Sequence, residues 1–276
     1  MWTTTAHTTL VKLRWLKLGF TYEILHTGSK GNFNLITHTD IMGDKIVIAT
    51  DAGLPFKHIE KYLFDVDVLL YSHVHADHYA PATYHQIRTQ FPNIIVITND
   101  DVARRMKETN QIPPDYLLNA TEGIQIGDIY IKAFENEHGT EDKPVDCTGW
   151  ILYDGHENIL YSTDMTTTIH YRMYLDKHNI KLDTILLEAN YDLDVVGFIE
   201  NMKLHTGFDI FNNGSERHMS LQEFHEFCEL YKRDEKVKCV PLHMSETYFS
   251  FDGMRKQSKF EHVTDEQIER YLNGQA

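Results

Sequence analysis

His73-Val74-His75-Ala76-Asp77-His78 places three histidines and one carboxylate within six residues. It directly follows the largely apolar run 67–72, Asp-Val-Leu-Leu-Tyr-Ser. A buried strand that ends in such a cluster delivers several ligands to one point. Imidazole and carboxylate donors together suit zinc or a similar divalent transition metal. The alternating pair His73 and His75 can reach one ion, and the adjacent pair Asp77 and His78 a second. Two ions so placed would polarise a phosphate or acyl group and activate water at neutral pH. The plainer alternative is a histidine-rich surface loop that holds stray metal, and the position behind a strand argues against it.

Three more donors close apolar segments further along. His138, in Asn136-Glu137-His138-Gly139, follows the strand-like run 129–134. Asp164 ends Tyr161-Ser162-Thr163-Asp164 after the apolar run 158–161, and His243 ends Val240-Pro241-Leu242-His243 after 237–240. Alone, each histidine would read as a structural or surface residue, and Asp164 as a turn or cap. Donors at the ends of four strand-like segments point to one site.

This order of donors resembles the metallo-β-lactamase superfamily. The resemblance implies an α/β fold, an αββα sandwich of two mixed sheets flanked by helices. It implies that His73, His75 and His138 hold one metal ion, that Asp77, His78 and His243 hold another, and that Asp164 bridges them. Two zinc ions are the expected cofactors, with manganese as the alternative. Gly28-Ser29-Lys30-Gly31-Asn32 resembles a turn of YycJ-like members, in which glycine lets backbone approach a ligand. Ala49-Thr50-Asp51-Ala52-Gly53 resembles the strand-end aspartate that supports the metal loop.

Leu187-Glu188-Ala189-Asn190, Arg217-His218-Met219-Ser220 and Leu242-His243-Met244-Ser245-Glu246 resemble segments of RNase Z-like phosphodiesterases. That resemblance makes His218 the acid that protonates the leaving oxygen, oriented by Glu188, with Asp77 counted among the catalytic groups. It implies hydrolysis of 3′,5′-cyclic nucleotides such as cCMP and cUMP to linear monophosphates, as in phage anti-Pycsar enzymes. A YycJ-like exonuclease on single-stranded DNA or RNA is the alternative. RNase Z proper is disfavoured, because no insertion resembles its Gly/Pro-rich arm. A metal-dependent acyl hydrolase and a non-catalytic nucleotide binder are the rivals from other classes. The donor set speaks against the non-catalytic binder, and the Arg217-His218 segment against the acyl hydrolase. Relatives of this kind imply a homodimer.

Composition constrains partners. The 276 residues include 42% hydrophobic ones, enough for a substantial core, and carry a net charge of −15. Such a balance disfavours a wide grip on long nucleic acid, though bound metal would reverse the local field. A small nucleotide substrate is the expected partner. No apolar run is long enough to span a membrane, and no membrane partner is expected. The three cysteines, Cys147, Cys228 and Cys239, form no CxxC pair and read as reduced thiols of a cytoplasmic protein. Residues 1–19 read as a mobile leader and 20–276 as one domain.

The elements that must carry these donors alternate. Strands are expected over 21–26, 34–38, 46–49, 94–97, 149–153, 158–161 and 183–187, with a hairpin at Asp154-Gly155. Helices are expected over 55–63, 81–90 and 219–231, and from Thr264, where Thr-Asp-Glu-Gln signals a capping box. Residues 194–208, with Val195, Val196, Phe198, Ile199 and Met202, read as an exposed surface helix, or as a partner contact or cover over the site.

Overall fold

The structure is a computed structural model that describes residues 18–140, 143–202 and 217–274. Residues 1–17 of the expected leader lie outside the described residues. The first sheet runs in chain order: β1 (Gly19–His26), β2 (Phe33–Thr39), β3 (Lys45–Thr50), β4 (Val68–Tyr71), β5 (Ile95–Thr98) and β6 (Tyr116–Leu117). Its first three strands are antiparallel, and β3 to β6 are parallel. The second sheet contains β7 (Gly123–Ile126), β8 (Ile129–Asn136), β11 (Cys147–Tyr153), β12 (Asn158–Ser162), β13 (Thr184–Glu188) and β14 (Lys238–Leu242). It too passes from antiparallel to parallel, with β12, β13 and β14 parallel. A two-stranded ladder, β9 (Gly139–Thr140) with β10 (Lys143–Pro144), sits beyond β8.

The pleat explains the layering. Alternate residues of a strand face opposite sides, so a strand apolar at every position is buried on both. Ile36, Ile48, Val68, Leu70 and Ile97 of the first sheet meet Ile131, Trp150, Leu152, Ile159 and Leu186 of the second, forming the central core. Each such buried aliphatic side chain contributes roughly 1.5–3 kcal/mol. Their neighbours Leu35, Ala49, Leu69, Tyr71 and Val96 face outward onto α1 (Phe56–Leu63), α2 (Pro81–Gln90) and α3 (Asp100–Glu108). On the other side, Ile151, Leu160, Ile185 and Leu187 pack on α4 (Ile169–His178) and α6 (Leu221–Tyr231). The result is the four-layer sandwich expected from the sequence.

The Asp154-Gly155 turn joins β11 to β12, with Tyr153 opposite Asn158 and Asp154 Oδ1 accepting from the amides of His156 and Glu157. Thr264 and Gln267 form the expected capping box on α8 (Asp265–Leu272). One expectation is corrected. Residues 193–201 form α5 (Leu193–Asn201), but Val195, Val196, Phe198 and Ile199 are buried. They pack against Met254 of α7 (Phe251–Arg255), Phe260, Val263 and Ile268 of α8. The segment looked exposed because its partner helices lie more than fifty residues downstream in the sequence. Residues 203–208 of the expected stretch lie outside the described residues. No helix among the described residues is long and apolar enough to cross a membrane.

Candidate metal centre

The loop after β4 carries His73, His75, Asp77 and His78, and three neighbouring segments clamp it. Asn32 donates its amide N–H to Asp77 O at 2.7 Å, and Ala52 donates its own to His78 O at 2.9 Å. Gly53 packs so tightly that a Cβ there would collide with the Asp77 carbonyl, which gives that glycine its reason. The Gly28–Asn32 turn folds over the same loop: the Asn32 side chain bonds Gly28 O and Asp77 O and lies 2.9 Å from His78 Nε2.

The sequence-predicted donors converge. His73 Nε2 stands 2.9 Å from His75 Nδ1, and His138 Nε2 stands 3.2 Å from that same atom. Asp77, His78 and His243 form a second group, with Asp77 Oδ2 at 3.5 Å from His78 Nε2 and 3.6 Å from His243 Nε2. Asp164 lies between the groups. Its Oδ2 is 2.9 Å from His78 Nε2, and its Oδ1 is 3.6 Å from His243 and 3.8 Å from His138.

The outer nitrogens are held elsewhere, which fixes the inward ones. His138 Nδ1 donates to Arg217 O at 3.0 Å, so Nε2 presents its lone pair to the centre. His78 Nδ1 meets Asp51 Oδ2 at 2.8 Å. Ser72 Oγ lies 2.9 Å from Asp51 Oδ1 and 3.0 Å from His73 Nδ1. His243 Nδ1 lies near Asn190 and Glu188, and its amide donates to Thr27 Oγ1. Three non-glycine residues at strand ends here adopt positive φ: Asp51 (59°), Asp164 (58°) and His243 (53°). Such backbone is held only where surroundings over-determine it, and it gathers at functional sites.

The donors fit divalent metal. His243 Nε2 and Asp164 Oδ2 are buried without a hydrogen-bond partner, although His78 Nε2 lies close to that oxygen. Inward-facing imidazoles that crowd one another at hydrogen-bond distance make sense around cations. Burial, reinforced by neighbouring His78, holds the His73 imidazole below its ordinary range, as a neutral ligand requires. Burial pushes Asp77 up, but hydrogen bonds from His243 and His78 outweigh it and keep the carboxyl ionised.

His218 stands outside both groups. Its Nδ1 lies 2.6 Å from Oε1 of the fully buried Glu188, and its ring stacks on His243 with centroids 5.2 Å apart. Burial works against its charge, but Glu188 overrides burial and raises its pKa. Burial likewise pushes Glu188 up, and His218 pulls it below its ordinary range. The Glu188 carboxylate thus favours the protonated form of His218. Glu188 also fixes the Asp164 corner by accepting from the Met165 amide at 2.7 Å.

Sequence reasoning missed Ser72 and the Arg217 side chain. Ser72 carries no motif of its own; its one signal is its place between β4 and the first ligand. Cys147, one of the expected reduced thiols, is buried 3.6 Å from His73 Nδ1.

Comparison with known proteins agrees with this architecture. No curated protein matches the sequence. Among solved structures, the metallo-β-lactamase fold protein YhfI from Bacillus subtilis superposes with a TM-score of 0.59 at 14% identity, covering 88% of this chain and 93% of that one. Human tRNase Z, short form, gives 0.53 at 15% identity, covering 82% and 93%. A possible metal-dependent hydrolase from Veillonella parvula gives 0.53 at 13% identity, covering 94% and 93%. The model of the β-lactamase superfamily domain matches residues 43–244, the span from the turn before β3 to the residue after His243. The chain belongs to the metallo-β-lactamase superfamily.

Proposed function

We propose that this chain is a metal-dependent phosphodiester hydrolase. The observation that carries the reading is the Glu188–His218 pair beside Asp164. It sets an imidazole whose protonated form a buried carboxylate favours next to the donor cluster, outside the His73–His75–His138 and Asp77–His78–His243 groups. When bound, two divalent ions would supply Lewis acidity and a nucleophile at neutral pH. His73, His75 and His138 would hold one, Asp77, His78 and His243 the other, with Asp164 between them.

The side chains divide the remaining work. Glu188 occupies His218 Nδ1, which leaves Nε2 to deliver a proton to the leaving oxygen. The His218 side chain keeps 18% exposure, so substrate can reach it. General acid catalysis of this kind contributes roughly 10²–10⁴ in rate. Acyl transfer releases an oxygen or nitrogen that also takes a proton. The tie of this acid to RNase Z-like segments favours phosphorus over carbon.

The proposed substrate is a 3′,5′-cyclic nucleotide opened to its linear monophosphate. An acidic chain with 41 Asp and Glu against 26 Lys and Arg suits a substrate with a single phosphate. A second reading, cleavage of single strands from an end, draws on the likeness to human tRNase Z. Purified zinc-loaded protein should be tried on cyclic mononucleotides, single-stranded DNA, RNA and a lactone. Cyclic nucleotide opening with shallow dependence on added salt is expected. Efficient strand shortening with every cyclic nucleotide left intact would replace the first reading by the second. Lactone hydrolysis alone would sink both.

A further inference from the structure

Arg217 immediately precedes His218, and its carbonyl holds His138. Its side chain has no such assignment. The Nε of Arg217 is buried and has no hydrogen-bond partner. Several other arginines meet carboxylates: Arg88 pairs with Asp115, Arg172 with Glu226, Arg233 with Asp183 and Arg255 with Asp265. Among the described residues Arg217 makes no ion pair, although acids outnumber Lys and Arg by 41 to 26 in this chain.

A buried donor without a partner is unfavourable, and a native fold that keeps one usually has a reason. Here the surroundings make it worse. The Arg217 carbonyl lies 3.0 Å from His138 Nδ1, which sets this residue beside the first triad. Two divalent ions at the centre would repel its guanidinium. Only an incoming anion reverses the balance, and a guanidinium presents a planar fork of N–H donors that matches two oxygens of one phosphate.

We propose that Arg217 forms an anion-binding subsite beside the metal centre that grips non-bridging oxygens of a substrate phosphate. The inference rests on the phosphodiester reading and deepens it, because a neutral acyl substrate would give the guanidinium nothing to bind. The phosphate gripped is either the reacting one or its neighbour along a strand.

Calorimetric titration of the zinc-loaded protein with inorganic phosphate tests the subsite without turnover. Arg217→Gln should keep the metal content and melting temperature of the parent while phosphate Kd rises about tenfold or more, as for a lost charge-assisted contact. Arg217→Lys should recover part of that loss. In turnover, kcat/KM should fall on phosphodiesters and hold on a neutral phenyl ester. A fall on cyclic and strand substrates alike assigns the reacting phosphate; a fall on strands alone assigns its neighbour. Unchanged phosphate affinity in Arg217→Gln overturns the subsite, as does an equal loss on the neutral ester. Metal loss in both variants would also overturn it, making the side chain a support for His138. If the parent cleaves no phosphodiester yet Arg217→Gln loses phosphate affinity, the proposed activity falls and the subsite stands.

Discussion

The two sheets serve the centre in different ways. The first supplies four donors, His73, His75, Asp77 and His78, from one loop after β4. The second supplies His138, Asp164 and His243 one at a time, from the ends of β8, β12 and β14. The supporting carboxylates differ in parallel. Asp51, beside the first sheet, holds Ser72 and the ligand His78. Glu188, at the end of β13, holds His218 at 2.6 Å. The first half therefore reads as a preformed ligand cradle. The second completes the cradle and adds the proton. A contiguous loop is ordered by local clamps, whereas dispersed donors are ordered only by the packing of the two sheets.

The comparison breaks most severely at Asp164, the residue that both donor groups share. Asp164→Ala should abolish turnover and lower bound metal from about two ions per chain, read by elemental analysis of protein prepared without chelator. Active parent protein that never holds more than one ion would remove the bridging role. The division of labour is sharpened at His218. His218→Ala should retain metal and fold while turnover drops by roughly 10²-fold or more, with a smaller drop on a nitrophenyl phosphodiester, whose leaving oxygen needs no proton. Equal losses on good and poor leaving groups would remove the acid role.

Asp51→Asn probes the other half. It leaves shape intact but weakens the acceptor that His78 Nδ1 and Ser72 rely on. Metal affinity should fall roughly 10–100-fold in competition with a chelator, as for lost outer partners of a ligand. Unchanged affinity would mean the cradle is held by backbone alone. Gly53→Ala tests the backbone directly, since the added Cβ meets the Asp77 carbonyl. Overpacking of this sort costs about 1–3 kcal/mol, so thermal unfolding should come earlier and metal content should drop with it. The smallest effect is expected at Ser220, which caps α6 in a capping box with Glu223 just after His218. Ser220→Ala should cost about 1 kcal/mol, a Tm shift of roughly 2–4 °C, with metal content unchanged. A large loss of metal there would show that α6 positions donors as well as the acid.

The sequence by itself determined the donors of the first half, because all four lie within six residues of one loop. It also determined most of the strands, whose apolar runs are buried on both faces, and the helices with clear starts, α2 with its leading Pro81 and α8 with its capping box. The runs were legible because local burial and local capping leave local patterns. Tertiary structure decided what depended on distant partners. Helix α5 looked exposed until α7 and α8 covered it. Ser72 became a hub only when β3 and β4 lay side by side and brought Asp51 to it. The left-handed turns at Asp51, Asp164 and His243 also emerged only in the structure, although aspartate and histidine are among the types that tolerate them. The pairing of Glu188 with His218 spans 30 residues and needs β13 beside the entrance to α6. A side chain's type can be read from the chain, but the atom it faces is set by which elements pack together.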